Sequence, residues 1–580
     1  MTARDFLNKQ FSSFTYLNIT QFLGALNDNI YKLLIVYFLL DIVGMENSYT
    51  ILSTTGAIFV LPFLLFSASS GILADRFSKR NIIVLTKVFE LLIMAFGVLS
   101  FAFESTTGAY TTLFLMATQS AIFGPSKYGI IPELVSDEKI SRANGLMTSF
   151  TFLAIIIGTF LASFITDITG RNFILAALLC TVIALVGVTT SFGIEYTPPS
   201  GSSKRLDFFF IREVMRALKI AHSVPSLLPA IFGSMFFLFL GAFMQLNMIP
   251  FAVYSLGLSD VQGGYLFLLA ALGIGTGSVL AGRISGKSVE MGLVPVSAFG
   301  LAIGSFFIDY FANNIILIIP LVVILGMLGG LFQVPLDSYI QIASPNKQRG
   351  QVIAAANFMS FIGVLMASGF IYITSGVLGV PADSSFTLMG ILSVFVTVVF
   401  AFQFYDYTTR FIGMILSYLH FSTSLNGEDN IPKGPGIYVC QHTAWNDTLL
   451  MLGSQRRRMR FFVEKEQEHS VFMKRLYKCL RIIMIPEIES IQQDPKSLKR
   501  IKQALQKGIS VCIFTAKSEI DSEVELLKNS RSFEDIYDGT SYPIIPVTIE
   551  KGEKDAESKY FSNLISKLRV PAKIQFNTPI

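Results

Sequence analysis

Long apolar segments alternate with short polar breaks along the first 405 residues of the chain. Twelve segments, centred near residues 30, 60, 92, 118, 156, 182, 238, 270, 300, 325, 362 and 394, have the length that crosses a bilayer, about 20 mostly apolar residues. The longest polar break runs from about Glu195 to Ser223. The pattern predicts an all-α membrane domain of two six-helix halves, 1–195 and 224–405, joined by a loop at 196–223.

The basic residues of the loops lie on one side of the predicted membrane. Arg and Lys cluster near the N-terminus, in the loop at 196–223 and in the loops after the second, fourth, eighth and tenth segments. Loops on the other side carry Asp and Glu, with Arg171 as their one basic residue. Since loops rich in Arg and Lys stay in the cytoplasm, both termini and the soluble half are predicted to be cytoplasmic.

Composition supports a membrane protein and excludes some other classes. The chain is 52% hydrophobic and 15% charged, whereas soluble domains are about a quarter charged. The four cysteines show no paired spacing and three lie in the soluble half, which argues against a disulfide framework or a zinc site. No metal is predicted, and the net charge of +5 does not indicate nucleic-acid binding.

The two predicted halves share a loop motif. The loop after the second segment reads Gly71-Ile-Leu-Ala-Asp75-Arg76-Phe-Ser-Lys79-Arg80, and its counterpart after the eighth has Gly282 in place of the aspartate, followed by Arg283. The first copy resembles the loop signature of the major facilitator superfamily. The resemblance implies a twelve-helix transporter with its substrate site between the halves. Gly71, Asp75, Arg76, Arg80 and Arg283 are then expected to act in gating, as a latch that lacks its carboxylate in the second copy.

Two further stretches narrow the resemblance to the lysophospholipid transporter branch of that superfamily. They are Gln21 to Asn29 in the first segment and Phe123 to Leu134 in the fourth, followed by Arg142-Ala-Asn144-Gly. The resemblance covers roughly residues 12 to 405. It implies a lysophospholipid substrate.

Ionisable residues inside the predicted spans are candidates for substrate binding, because charges are costly in the bilayer. Asp28 and Lys127 are expected to line the cavity and to bind a zwitterionic or anionic head group. A simple ion pair between Asp28 and Lys32, one helical turn apart, is the alternative. Glu90 and Asp337 are expected to act in structure or gating. Uncharged hydrogen bonds to the head group are expected from Asn27, Asn29, Gln119 and Gln245.

Beyond residue 405 the chain becomes charged and mixed. The stretch 406–425 has helical spacing and predicts an interfacial linker helix, and 426–580 predicts an α/β domain. Its first buried strand, Ile437 to Cys440, is followed by His442, and a helix begins at Asp447. Functional residues commonly lie at such carboxyl ends of strands.

The His442-Thr-Ala-Trp-Asn-Asp447 sequence and its context resemble the glycerolipid acyltransferases, especially the 2-acylglycerophosphoethanolamine type. The resemblance implies that His442 removes a proton from a glycerol hydroxyl and that Asp447 orients the imidazole. Acyl-carrier protein or coenzyme A would supply the acyl thioester, without another cofactor. The alternative is that His442 only caps the following helix.

One block departs from that family. Where relatives have Phe-Pro-Glu-Gly followed by Thr and Arg, this chain has Phe514-Thr-Ala-Lys517-Ser-Glu519. Lys517 and Arg460 are the remaining candidates for binding the acceptor phosphate. The neighbouring cluster 456–458 fits a membrane-surface patch, a dock for an acidic carrier protein or a solvated face.

The sequence therefore predicts a monomeric, multi-pass protein of the bacterial inner membrane. It would move lysophospholipid from the outer to the inner leaflet and reacylate it on the cytoplasmic side. Two alternatives are a transporter with a catalytically inactive acyltransferase-like domain and a general efflux carrier.

Overall fold

The computed structural model describes residues 3–44, 47–204, 210–432, 434–441, 447–455, 458–464, 482–485, 495–515, 542–551 and 569–579. The chain divides into two compact units, Met1–Gln403 and Phe404–Ile580. The first unit is helical, and the second contains a sheet.

Twelve helices of 18 residues or more follow one another in the described part of the first unit. They are α1 (Ala3–Val43), α2 (Ser48–Arg76), α3 (Lys79–Ala102), α4 (Thr106–Gly129), α6 (Ile140–Ile168), α7 (Phe173–Ser191), α9 (Leu227–Tyr254), α10 (Asp260–Ser285), α11 (Leu293–Tyr310), α12 (Ile315–Ala343), α13 (Arg349–Ile371) and α14 (Ser384–Gln403). The short α5 (Ile131–Leu134) and α8 (Phe210–Ser223) lie between them. Eleven of the described helical segments are long and apolar enough to span a membrane, and α4 is the long helix outside that set.

The connection between the halves contains a helix that hydropathy alone did not predict. On α8, Val214 and Ala217 pack against Ala68 of α2 and Ala355 of α13. Glu213 is buried in the same helix and forms ion pairs with Lys204 and Arg216. The connection is therefore packed against both halves.

Small residues allow the closest helix crossings. A Cβ added to Gly326 of α12 would lie 3.0 Å from the Cα of Gly273 on α10. Where α10 packs against α6, a Cβ added to Gly282 would lie 2.9 Å from the carbonyl oxygen of Ser141. Since lipid provides little hydrophobic drive between helices, such close approach is a main source of packing energy.

Within its described residues, the second unit has one seven-stranded sheet flanked by helices. Its strands are β1 (Phe421–Asn426), β2 (Ile437–Gln441), β3 (Met459–Glu464), β4 (Ile483–Ile485), β5 (Ser510–Thr515), β6 (Ile544–Lys551) and β7 (Val570–Phe576). Their order is β1-β7-β6-β2-β5-β3-β4, and neighbours are parallel except for β6 and β7. The helices described are α15 (Tyr405–His420), α16 (Asp447–Ser454) and the helix Pro495–Gln506.

The predicted linker helix is shorter than expected. The helix α15 ends at His420, and Phe421–Asn426 forms the edge strand β1, which pairs with β7. The sequence Phe421-Ser-Thr-Ser-Leu-Asn contains mostly weak helix formers, and the partner strand lies almost 150 residues later. The helical spacing of the residues before Phe421 led to a predicted helix that extended to residue 425, five residues beyond its end at His420.

The central strand β2 separates two apolar layers. Tyr438 and Cys440 face α16, whereas Ile437 and Val439 face the helix Pro495–Gln506. Burial raises the pKa of the Cys440 and Cys512 thiols, which therefore remain protonated. Strand β2 is therefore packed on both faces up to its carboxyl end.

Candidate functional site

A cavity of about 420 Å³ lies between the two halves of the membrane unit. Its polar lining comes from α1, α3, α4, α6, α9, α12 and α13, and comprises Gln21, Asp28, Lys87, Gln119, Ser120, Lys127, Tyr128, Thr148, Thr151, Ser234, Gln333, Asp337, Gln341, Asn357 and Ser360. Asp28 and Lys127, two of the residues predicted from the sequence, therefore face the same space.

The two predicted charged residues present unpaired groups to this cavity. Asp28 Oδ2 accepts a hydrogen bond from Ser120 Oγ at 2.7 Å, while Oδ1 is buried and has no hydrogen-bond partner among the described residues. Lys127 Nζ lies 5.6 Å from the ring centre of Phe123 and 4.8 Å from that of Tyr128. Within the described residues no carboxylate lies within 4 Å of Lys127 Nζ. Both signs of charge are thus available to a ligand.

A buried ion pair supports this wall of the cavity. Lys87 Nζ lies 2.6 Å from Glu90 Oε2 on α3, and both side chains are almost fully buried. Asn27 and Gln119 donate to the two oxygens of Glu90 at 3.3 and 3.4 Å. Asn27 is fully buried and does not line the cavity, so the structure gives it a supporting position instead of the ligand contact expected from the sequence.

Sequence reasoning missed two members of the site. Lys87 was not singled out, although its spacing of three residues from Glu90 within a span was a usable signal. Asp337 was assigned to structure or gating, yet it lines the cavity from the opposite half. Gln333, one turn earlier on α12, donates to Asp337 Oδ1 at 2.7 Å.

A second, mainly apolar chamber of about 380 Å³ adjoins the cavity. Phe59, Phe152, Ile155, Phe237 and Leu238 line both spaces. The chamber is lined on α12 by Leu325, Gly326 and Gly329, whereas the cavity is lined by later residues of that helix, from Gln333 to Gln341. The chamber therefore lies farther than the cavity from the end of α12 at Ala343.

The remaining predicted polar residues lie in the chamber. Asn29, Lys32 and Gln245 line it, and Lys32 Nζ lies 5.1 Å from the ring centre of Phe59. Asp28 and Lys32 are both described, and no ion pair within 4 Å joins them. The ion-pair alternative is therefore wrong in this structure.

The loop motif forms a contact between the halves. Asp75, at the end of α2, is fully buried and accepts from the backbone N–H groups of Gly350 and Gln351, at 2.7 and 3.0 Å. These groups begin α13, so the carboxylate caps a helix N-terminus of the opposite half. A Cβ added to Gly71 would lie 2.6 Å from the Gly350 oxygen, which explains the glycine.

The basic residues of the motif lie away from that contact. Arg76 lies over Phe77, and Arg80 donates to the carbonyl oxygens of Phe192 and Ile194 in its own half. Arg283 is exposed. In the second copy of the motif, Gly282 stands in place of the aspartate and packs closely against the start of α6.

In the second unit, Asp447 lies at the carboxyl edge of the sheet. It is the first residue of α16, is fully buried and forms an ion pair with Lys551 at the end of β6. His442, Lys517 and Glu519 lie outside the described residues. Strands β2, β5 and β6 are parallel and end at this edge, so the chain enters 442–446 and 516–519 from neighbouring positions. Lys551 was not predicted, because it is more than 100 residues from Asp447.

Arg460 lies at the other edge of the sheet. Through Val511 it is level with Ile437, four residues before Gln441, or about 13 Å along the strand at 3.3 Å per residue. Its guanidinium lies 3.0 Å from Asp406 of α15. The structure therefore does not bring Arg460 to Asp447, and the predicted phosphate role at that edge lacks geometric support.

Comparisons with known proteins match each unit separately. The model of the Major Facilitator Superfamily matches residues 17–368, and the acyltransferase family model matches residues 422–550. The lysophospholipid transporter LplT of Klebsiella pneumoniae (strain 342) is 25% identical over 365 residues, which are 62% of this chain and 88% of that protein. LplT of Photorhabdus laumondii is 27% identical, over 56% of this chain and 79% of that protein.

Solved structures share the fold of the membrane unit. The human organic anion transporter MFSD10 matches with a TM-score of 0.55 at 15% identity, over 67% of this chain and 99% of that one. The transporter FucP, in its outward conformation, matches with a TM-score of 0.55 at 13% identity, over 68% and 99%. The predicted fold class is confirmed: a helical transporter fold precedes an acyltransferase domain with a mixed sheet.

Replacing Asp75 by Asn should loosen the contact between the halves. The variant removes the negative charge at the start of α13, a loss of about 1–2 kcal/mol. Hydrogen–deuterium exchange of the full chain should become faster in the first turns of α13. Asp41→Asn is the matched control, because its ion pair with Arg171 is exposed. Equal exchange in α13 for both variants would contradict the cap.

Replacing Lys551 by Met should destabilise the second unit. It removes the ion pair between Lys551 and the buried Asp447, at a cost of about 3 kcal/mol. Alkylation of the buried Cys440 and Cys512, located by mass spectrometry, should accelerate roughly a hundredfold. Lys573→Met is the control, since its pair with Glu550 is exposed and long, at 3.8 Å. Similar alkylation rates in the two variants would show that Lys551 does not stabilise the site.

Proposed function

Because this chain belongs to the Major Facilitator Superfamily, we propose that its membrane unit moves lysophospholipids, such as lysophosphatidylethanolamine, from the outer to the inner leaflet of a bacterial inner membrane. The observation that carries this proposal is the polar, charged cavity joined to an apolar chamber. The curated relatives named as lysophospholipid transporters support the same substrate class.

The cavity offers complementary groups for a zwitterionic head group. Lys127 is the cation for the phosphate, because it faces the cavity and no carboxylate of the described residues lies within 4 Å of its Nζ. Asp28 and Asp337, from opposite halves, are the anions for an ammonium group. Ion pairs and charge-assisted hydrogen bonds of this kind are stronger than neutral ones, which suits recognition of a charged head group.

The chamber offers a place for a single acyl chain. Its mainly apolar lining suits an acyl chain, so this contact favours a lipid over a polar, soluble solute. The aromatic and aliphatic residues shared by the two spaces give a continuous surface from the head group to the chain.

The arrangement also supports the direction of transport. With basic loops in the cytoplasm, the Asp75 contact closes the cytoplasmic side, and the chamber lies on the outer side of the cavity. A lysophospholipid entering from the outer leaflet would thus lie with its head group in the cavity, toward the cytoplasm, and its acyl chain in the chamber, toward the outer leaflet. Release to the inner leaflet requires the Asp75 contact to open.

In this proposal the acyltransferase domain reacylates the transported lipid in the cytoplasm. His442 would act as general base toward the glycerol hydroxyl, with an acyl thioester of coenzyme A or acyl-carrier protein as donor. A catalytically inactive lipid-binding domain is the second candidate. It is favoured by the Lys551 ion pair, which engages Asp447, and by the altered block at Phe514 to Glu519.

Loss of either cavity charge should slow lysophospholipid movement. Asp28→Asn and Lys127→Gln should each lower the initial rate about tenfold or more, since a hydrogen bond to a charged group contributes about 1.5–3 kcal/mol. The assay uses proteoliposomes with labelled lysophosphatidylethanolamine and measures the fraction that albumin cannot extract from the outer leaflet.

Two matched variants sharpen this assay. Asp41→Asn removes a carboxylate from the same helix at an exposed position and should transport normally. Gly329→Leu projects into the chamber near Phe237 and should slow long-chain more than short-chain lysolipids. Normal rates in Asp28→Asn and Lys127→Gln would overturn the head-group assignment. Transport of soluble solutes without lysolipid movement would indicate an efflux carrier.

Reacylation has its own test. Purified full chain, given lysophosphatidylethanolamine and acyl-carrier thioester, should form diacyl product, and His442→Ala should reduce it to background because the general base is lost. Mass spectrometry of the lipid product measures the difference. Background product from both proteins would support the inactive domain and leave the transport proposal intact.

A further inference from the structure

A basic pocket lies at the edge of the sheet opposite Asp447. It has a volume of about 450 Å³ and is lined by Arg460, Arg500 and Lys507 together with Asp406 and Gln503. Ile482, Ile483, Ala504 and Ile509 complete its wall. The pocket is distinct from the edge where the acyltransfer residues are expected.

The pocket carries an excess of positive charge. Asp406, its one acidic lining residue among the described residues, lies 3.0 Å from Arg460 and is thereby neutralised. Arg500 and Lys507 are exposed, and no carboxylate of the described residues lies within 4 Å of either. The helix Pro495–Gln506 adds further cations and has no acidic residue. The surface therefore favours an anion.

Its position is tied to the membrane by the chain itself. The last predicted span ends at Gln403, three residues before Asp406. Consecutive Cα atoms are 3.8 Å apart, so these two Cα atoms are separated by no more than about 11 Å. The Asp406–Arg460 ion pair then fixes the pocket to the first turn of α15. Arg458 strengthens the link, since it lies over Tyr407 and donates to the Lys507 oxygen at 3.1 Å.

The rest of α15 has the character of an interfacial helix. Ile412, Ile415, Leu416 and Leu419 are exposed along one face at helical spacing, whereas Phe411 and Ser417 are buried on the other. An amphipathic helix that directly follows a membrane span places its apolar face at the lipid boundary. Cations beside it lie at the depth of lipid phosphates.

We propose that this pocket binds the phosphate of an anionic membrane phospholipid in the leaflet where α14 ends. Arg500 and Lys507 contact the phosphodiester, and Arg460 links the bound lipid to α15 through Asp406. Lipid binding docks the acyltransferase unit with its basic edge on the bilayer. The proposal goes beyond the transport function and does not depend on which lipid the membrane unit carries.

The test uses the full chain in nanodiscs of phosphatidylcholine, with or without phosphatidylglycerol. Hydrogen–deuterium exchange should slow in the peptide covering 495–509 when phosphatidylglycerol is present, and remain unchanged in pure phosphatidylcholine. Native mass spectrometry from detergent gives the affinity for each lipid. Arg500→Gln should lower the affinity for phosphatidylglycerol about fivefold, the change that about 1 kcal/mol per basic residue gives.

Lys499→Gln is the matched control, because it removes the neighbouring cation of the same helix, which does not line the pocket. Its affinity for phosphatidylglycerol should equal that of the wild type. Equal affinities of Arg500→Gln and Lys499→Gln would overturn the proposal, and so would equal protection by the two lipids. Protection by acyl-carrier protein or coenzyme A in pure phosphatidylcholine, with none from phosphatidylglycerol, would assign the pocket to a soluble partner instead. Because the readout is lipid retention, it is independent of the transport assay.

Discussion

The cost of placing charge inside the membrane is the constraint on which the transport site depends. An isolated ion in a low-dielectric interior is strongly unfavourable, so each buried charge needs a partner or a polar cavity. Lys87 and Glu90 meet this requirement as a pair, and Asn27 and Gln119 satisfy the carboxylate further. This network leaves Asp28, Lys127 and Asp337 as charges that a ligand can engage.

The two halves of the membrane unit meet at two interfaces, one between α2 and α13 and the other between α10 and α6. At the first interface, Asp75 lies on the N-terminus of α13 beside the close approach of Gly71 to Gly350, and at the second, Gly282 packs closely against α6. A carboxylate on a helix N-terminus is an electrostatic contact that can be exchanged for water, whereas close backbone packing is lost only when the helices separate. The connection through α8 packs against both halves near the first interface.

The second unit separates two kinds of surface at the two edges of its sheet. The carboxyl ends of β2, β5 and β6 meet where Asp447 and Lys551 pair, which is the edge expected for chemistry. The opposite edge is basic and is connected through Asp406 to the helix that follows the last span. Parallel strands make this separation possible, because all their ends of one kind lie at one edge.

Hydropathy, loop motifs and the strand before His442 determined the number and order of the spans, the two repeated halves and the α/β character of the second unit. These properties follow from local patterns, since span length and strand alternation are set by neighbouring residues. Tertiary structure alone decided which distant side chains meet. It placed Asp337 opposite Asp28, put Asn27 behind Glu90, joined Asp447 to Lys551 and moved Arg460 to the far edge. It also ended α15 at His420, because β1 gains its hydrogen bonds from β7, a strand almost 150 residues away. Such contacts depend on how helices and strands pack in three dimensions, and no local periodicity encodes them.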